Sequence, residues 1–108
     1  MRTLLISFLA TTVILASIAI AAAGGVAMVS QKSRAFSVSH LQIAHGDTVR
    51  FNNEDTFLHQ IYVHSPSLNY ESDEQEPGTS VEIRFPSAGT FEVRCQIHPK
   101  MLLVVEAR

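Results

Sequence analysis

The residues most able to do chemistry lie close together near the end of the chain. Cys95, His98 and Met101 follow one another at intervals of three residues and offer a thiolate, an imidazole and a thioether. A loop between two strands can curl so that all three donors face one centre, and His59 would complete the set from a distant strand. Two His and one Cys with a weak axial Met is the ligand set of blue-copper sites, whereas Met is a poor zinc ligand. We therefore predict one copper ion, cycling between Cu(I) and Cu(II), bound by His59, Cys95, His98 and Met101.

Each of these residues also has an ordinary interpretation. A single free Cys is commonly a small buried hydrophobic residue, Met101 precedes Leu102 and could pack in a core, and histidines are often exposed. Three functional hypotheses therefore stay open: a one-electron carrier, a copper carrier or chaperone, and a thiol enzyme with Cys95 as nucleophile and His98 as base. The thiol enzyme also needs a group that orients the base, and the sequence suggests none.

The elements that would position these residues are short strands. Apolar and polar residues alternate with a period of two in short stretches, and turn-forming Gly, Pro, Asn and Asp residues separate these stretches. This pattern predicts an all-β sandwich or barrel. The predicted strands cover residues 36–38, 41–43, 48–52, 59–63, 81–85, 91–95 and 102–106. Residues 65–78 are polar and predict a long loop with room for a short helix only. Because side chains alternate between faces, Cys95 continues the inward row of Phe91 and Val93 at a strand end.

The start of the chain differs in composition from the rest. Residues 3–23 carry no charge, follow Arg2 and end in three alanines. This pattern is typical of a secretory signal peptide with a small-residue cleavage site, although its length would also suit an uncleaved membrane anchor. We predict a signal peptide or anchor over residues 1–23, a linker over 24–35 and the copper-binding domain over 36–108.

Charge and cysteine content narrow the possible functions. Beyond residue 23 there are seven Lys and Arg residues against ten Asp and Glu, a net charge of −3 with His neutral. A mildly acidic surface argues against nucleic acid as a partner, because binding to phosphates needs clustered cations. One Cys permits no disulfide within the chain, and a bound metal is one other way to stabilise so small a domain. Residues 70–76 contain four acids, which form either a solvated loop or a docking patch for a cationic partner.

The sequence resembles the cupredoxin family, most closely its amicyanin-like and plastocyanin-like members. The resemblance covers nearly all of residues 36–108 and rests on the stretch 46–55, on His59, and on Gly89-Thr90-Phe91 leading to Cys95. The spacing Cys-x-x-His-x-x-Met, with Pro99 after the histidine, is similar to the short copper loop of amicyanin. Two positions depart from the family: Gln60 stands where Asn usually follows the first histidine, and Lys100 stands where amicyanin has an aromatic residue.

The resemblance implies a fold and a function as well. It implies a Greek-key β-sandwich in which His59, Cys95 and His98 are equatorial ligands and Met101 is axial, with the ring edge of His98 at the surface as the route of the electron. The implied role is electron transfer rather than enzymatic catalysis. The expected partners are a c-type cytochrome or a dehydrogenase that docks briefly near His98. We expect a monomer in the bacterial periplasm, held at the membrane only if residues 1–23 are uncleaved.

Overall fold

The described part of the protein is built from β-strands. The computed structural model describes residues 24–108, together with 3, 4, 7 and 12, so that the predicted signal or anchor lies almost wholly outside the described residues. The strands are β1 (Val26–Lys32), β2 (Ala35–Phe36), β3 (His40–Ile43), β4 (Thr48–Asn53), β5 (Ile61–Ser65), β6 (Leu68–Glu71), β7 (Ser80–Arg84), β8 (Gly89–Cys95) and β9 (Leu102–Ala107). Within the described residues, no helix has the length and apolar character needed to cross a membrane.

The strands form two sheets that face each other as a sandwich. The four-stranded sheet has the order β2-β1-β4-β7, and the five-stranded sheet has the order β3-β9-β8-β5-β6. Both are mixed, because β1 runs parallel to β4 and β3 runs parallel to β9, while the other pairs are antiparallel. The predicted all-β sandwich is confirmed.

The core lies between the sheets and follows from the two-residue period. Alternate residues of β4, β8 and β9 point inward and are almost fully buried, and the rings of Phe85 and Phe91 pack edge to face with centroids 5.3 Å apart. Each buried side chain of this size contributes about 1.5–3 kcal/mol to folding. The cluster comprises Val29, Ile43, Val49, Phe51, Ile61, Val63, Ile83, Phe85, Phe91, Val93, Leu103, Val105 and Ala107.

The prediction of a linker over residues 24–35 is wrong. Residues 26–32 form β1, an inner strand of the four-stranded sheet, and Val29 and Gln31 are fully buried in it. The alternation that marks a half-buried strand is hidden because Val26 and Met28, on the outward face, are apolar too. The copper-binding domain therefore begins about ten residues earlier than predicted.

The segment predicted as a loop over residues 65–78 also contains a strand. Residues 68–71 form β6, which pairs with β5 at the edge of the five-stranded sheet. No part of this segment is helical. The strand predicted from residue 59 begins at Ile61 instead, with His59 just before it in an isolated bridge to Gln75.

One end of the sandwich collects the residues predicted to bind copper. The start of β5 pairs with the end of β8, so Ile61 lies beside Cys95. Three loops consequently meet at this end: residues 54–60 before β5, residues 72–79 before β7, and residues 96–101 between β8 and β9.

Candidate metal centre

The ligand loop, defined as residues 95–101, presents its donors from the end of β8. Cys95 closes the inward row of that strand and is 1% exposed. The chain then turns tightly, and the Met101 N–H donates to the His98 carbonyl at 3.0 Å. Met101 is buried directly before β9. The loop is therefore anchored by a packed residue at each end, with the half-buried His98 between them.

His59 comes to the same point from a different element and is fully buried. Its backbone forms an antiparallel bridge with Gln75, in which the His59 N–H donates at 3.1 Å and its carbonyl accepts at 2.6 Å. Both backbone groups are therefore fixed, and the imidazole has little freedom to leave its position.

The donor atoms lie at separations that suit one ion. Sγ of Cys95 is 3.5 Å from Nδ1 of His59 and 4.0 Å from Nδ1 of His98, and the three donors all lie within 4.8 Å of one another. Bonds of about 2.0–2.3 Å from a metal to imidazole nitrogen and thiolate sulfur would place donors about 3.5–4 Å apart in a trigonal arrangement. The residues present fit a copper ion in both geometry and donor chemistry.

Gln60, the residue that departs from the family pattern, connects three segments at this centre. Its N–H donates to Sγ of Cys95 at 3.4 Å, and its carbonyl accepts from the Gln96 N–H at 2.8 Å. Its side-chain amide donates to the Ser72 carbonyl at 3.1 Å. These contacts fix Gln60 between the strand end that carries Cys95 and the loop before β7, so they help to hold the Cys95 sulfur in place.

Asp55 holds the other nitrogen of His59. Its Oδ2 lies 2.7 Å from Nε2 of His59, and its two carboxylate oxygens also accept the backbone N–H groups of Ser33 and Arg34. Those two residues form the turn between β1 and β2 with φ of 54° and 56°, a left-handed conformation that non-Gly residues rarely adopt. One carboxylate thus stabilises an unfavourable turn and directs Nδ1 of His59 toward the centre.

Two pKa values at the centre are displaced. Burial alone would raise the pKa of the Asp55 carboxyl, but the hydrogen bonds from His59, Arg34 and Ser33 together outweigh burial and lower that pKa below 3.8. Burial lowers the pKa of His98 below 6.5, and the neighbouring His59 and Arg34 lower it further. At neutral pH, Asp55 is therefore ionised and His98 is neutral, as a ligand imidazole must be.

Sequence reasoning missed two residues that support the centre. Asp55 lies between the predicted strands 48–52 and 59–63, four residues before His59. A carboxylate at that spacing from a candidate ligand histidine is a usable signal, since ligating histidines commonly donate to carboxylates. Gln75 carried no signal, because its role depends on long-range contacts. It accepts from Gln31 at 2.8 Å through Oε1 and from Asn53 at 2.9 Å through its carbonyl, and its amide donates to the Phe51 carbonyl at 3.0 Å.

The comparison with protein families agrees with this geometry. The family model described as a cupredoxin-like domain matches residues 5–105 of the 108-residue chain. The chain belongs to the cupredoxin-like family. The resemblance inferred from the sequence is thereby confirmed, and copper is the cofactor that the family and the donor set indicate. No curated protein matches the sequence of this cupredoxin-like chain.

Solved structures include several with the same fold. A reduced mutant of amicyanin is 22% identical with a TM-score of 0.72, over 80% of this chain and 85% of that one. A Cu(I) form of another amicyanin mutant is 21% identical with the same TM-score and coverage. The novel purple cupredoxin from Nitrosopumilus maritimus is 21% identical with a TM-score of 0.69, over 76% of this chain and 99% of that one.

A larger copper protein contains a similar domain. The Cu-containing nitrite reductase from Thermus scotoductus SA-01 is 25% identical with a TM-score of 0.69, over 76% of this chain. This chain spans only 22% of the length of that reductase. The likeness therefore concerns one cupredoxin-like unit of a much longer protein.

Proposed function

We propose that the protein is a type 1 copper protein that carries single electrons between redox proteins in the periplasm. His59, Cys95 and His98 would hold the copper ion, and Met101, buried at the end of the same loop, would supply a fourth donor. The observation that carries this proposal is the convergence of one thiol and two imidazole nitrogens at a buried centre. Bound copper supplies a one-electron couple between Cu(I) and Cu(II). His98 is the exchange point for the electron, because it is the least buried of the four residues.

The rigidity of the centre supports electron transfer over metal transfer. The backbone of His59 is bridged to Gln75, its ring is held by Asp55, and Cys95 ends a packed strand. Ligands that cannot rearrange keep one geometry for both oxidation states, which suits fast electron exchange and slows metal release. A copper carrier is the second candidate, since thiolate and thioether donors favour Cu(I). Such a carrier would exchange its metal readily and need not hold Cu(II).

We assign no enzymatic reaction to the protein. Two observations support this. Cys95 is 1% exposed, so a substrate cannot reach its sulfur as it would reach a catalytic thiol. The chain also matches the purple cupredoxin over 99% of that protein's length, but matches only 22% of the nitrite reductase. Protection of Cys95 from iodoacetamide in the copper-loaded protein would be consistent with a ligand, and rapid alkylation would support a nucleophile.

A spectroscopic titration tests the proposed function. Adding one equivalent of Cu(II) is expected to produce an intense visible charge-transfer band and a narrow copper hyperfine splitting, both lost on reduction and restored on oxidation. His59→Gln should abolish the band, whereas the matched control His64→Gln, at an exposed histidine of β5, should retain it. Binding of copper only as Cu(I) would support the copper carrier instead of the electron carrier. A failure to bind copper would refute both functions.

A further inference from the structure

The surface around His98 combines an apolar patch with positive charge. Arg34, Ile97, His98, Pro99 and Lys100 line a shallow depression there. Ile97 is 42% exposed, and Phe57, whose ring packs edge-on against His98 at 6.2 Å, is 41% exposed. Large exposed apolar side chains that cluster on a small protein mark an interaction site.

The two cations of this depression, Arg34 and Lys100, are defined here as the cationic rim. The guanidinium of Arg34 lies 4.2 Å from the centre of the Phe57 ring and is thereby held against the apolar patch. Asp55 does not neutralise the Arg34 side chain, because its carboxylate accepts from Arg34 only through the backbone N–H. The other two hydrogen bonds of that carboxylate come from Ser33 and His59. Within residues 24–108, neither member of the cationic rim forms an ion pair. Their charge is therefore available to a partner.

A second group of charged residues, all acidic, belongs to the five-stranded sheet and to the loop that follows β6. Glu71, on the edge strand β6, accepts from His64 at 3.0 Å and from Gln96 at 3.3 Å. Asp73, Glu74 and Glu76 follow it in the loop that leads to β7. This acidic segment, residues 71–76, extends from the five-stranded sheet, whereas Arg34 belongs to the turn between β1 and β2 of the other sheet. None of the acidic residues lines the depression around His98.

We propose that the depression around His98 docks a redox protein whose electron-exchange surface is apolar and bordered by carboxylates that face the cationic rim. This inference rests on the proposed electron-transfer function and specifies the chemistry of its partner. Opposite charge across such a contact raises the rate of encounter and selects the orientation in which His98 meets the partner. The acidic segment has the opposite charge to the cationic rim, so it repels those carboxylates and disfavours orientations in which they meet residues 71–76.

The test compares two double variants that lose the same net charge. Arg34→Gln/Lys100→Gln removes the cationic rim, and the matched control Arg50→Gln/Arg84→Gln removes two exposed cations from β4 and β7. The probe is hexacyanoferrate, a multivalent anion, and the readout is its second-order rate of electron exchange with the copper-loaded protein. At low ionic strength the rim variant should be slower by about fivefold or more, and salt should abolish most of the difference. The control should stay within about twofold of the parent protein.

A redox-inert anion locates the site without using electron transfer. Hexacyanochromate(III) should broaden the amide resonances of residues 34, 97, 98 and 100 of the parent protein and leave those of the rim variant unchanged. Equal slowing of both double variants, or broadening centred elsewhere, would overturn the inference. Faster exchange with a cationic cobalt complex that depends on Asp73 and Glu74 would instead identify the acidic segment as the docking surface.

The two proposals fail in different ways. If the visible band forms and is bleached by hexacyanoferrate and by the cobalt complex while the two double variants exchange electrons at equal rates, only the inference about the partner is refuted. If no reversible copper couple exists, the proposed function is refuted, and the broadening by hexacyanochromate(III) still reports whether the cationic rim binds anions.

Discussion

Replacement of Asp55 by Asn tests the physical basis of the metal centre. The change keeps the size of the side chain but removes one acceptor oxygen and the negative charge. The carboxylate accepts three N–H groups, from Ser33, from Arg34 at 3.0 Å and from His59 at 2.7 Å. Asn can preserve two of these bonds by placing its oxygen where Oδ2 lies. Its amide then faces the Ser33 N–H, and two donors oppose each other.

The expected cost follows from these three bonds. The Ser33 N–H is only partly buried, so the loss of its acceptor costs about 1 kcal/mol, at the low end of the range for a buried donor. A neutral acceptor is also weaker than a carboxylate in each of the two bonds that remain. We expect Asp55→Asn to lower the free energy of unfolding by about 2–4 kcal/mol. Each kcal/mol lowers the midpoint of thermal unfolding by about 4–8 °C in a domain of this size. The affinity for copper should fall about 10–100-fold, because His59 loses its orientation.

Two measurements on the purified protein check these values. Urea unfolding of the metal-free protein gives the free energy, and competition with a chromogenic Cu(I) chelator gives the affinity. The control is Asp73→Asn, an exposed carboxyl in the loop before β7, for which a change within about 0.5 kcal/mol is expected.

The dependence on pH provides a further check of the same reasoning. Because the folded-state pKa of Asp55 is lowered, its contribution is fully present above its unfolded value of 3.8 and is lost as pH falls through the folded-state pKa. Asp55→Asn should therefore lose less stability on acidification than the parent protein. The reasoning would be refuted if Asp55→Asn unfolded within 0.5 kcal/mol of the parent protein and bound Cu(I) with unchanged affinity.

Three further predictions concern the centre and the fold. Cys95→Ser should fold, since the replacement is nearly isosteric, but should lose the visible copper band, and retention of that band would exclude Cys95 as its source. Val29→Ala should lower the free energy of urea unfolding by about 1.5–3 kcal/mol, whereas Val26→Ala, at a site 62% exposed, should change it by less than about 0.5 kcal/mol; equal effects would argue against β1. Because the pKa of His98 is lowered in the folded protein, this histidine takes up a proton more readily in the unfolded state as pH falls below 6.5. The free energy of unfolding therefore decreases as pH falls through this range. His98→Asn should make the unfolding free energy of the metal-free protein less dependent on pH between 6.5 and 5, and an unchanged slope would contradict this.

The sequence alone predicted the fold class, which the structure confirms, and proposed the candidate ligands. Both depend on patterns that are local in the chain. The period of two in residues 81–85 and 91–95 reports which side chains point inward, whatever the strands pair with. The spacing of Cys95, His98 and Met101 similarly places three donors on one loop. Only His59 is distant in the sequence, and its position at the start of the predicted strand 59–63 made it a candidate.

Tertiary structure decided what supports the centre and what surrounds it. β1 escaped recognition because its outward face, with Val26 and Met28, is apolar as well, so no alternation was visible. Asp55 and Gln75 act through partners more than 15 residues away in the chain, such as Ser33 and Phe51. Arg34 reaches His98 only because β1 pairs with β4 and carries its turn to the same end of the sandwich. Pairing between distant segments is set by the packing of the whole domain, which no local pattern of residues records.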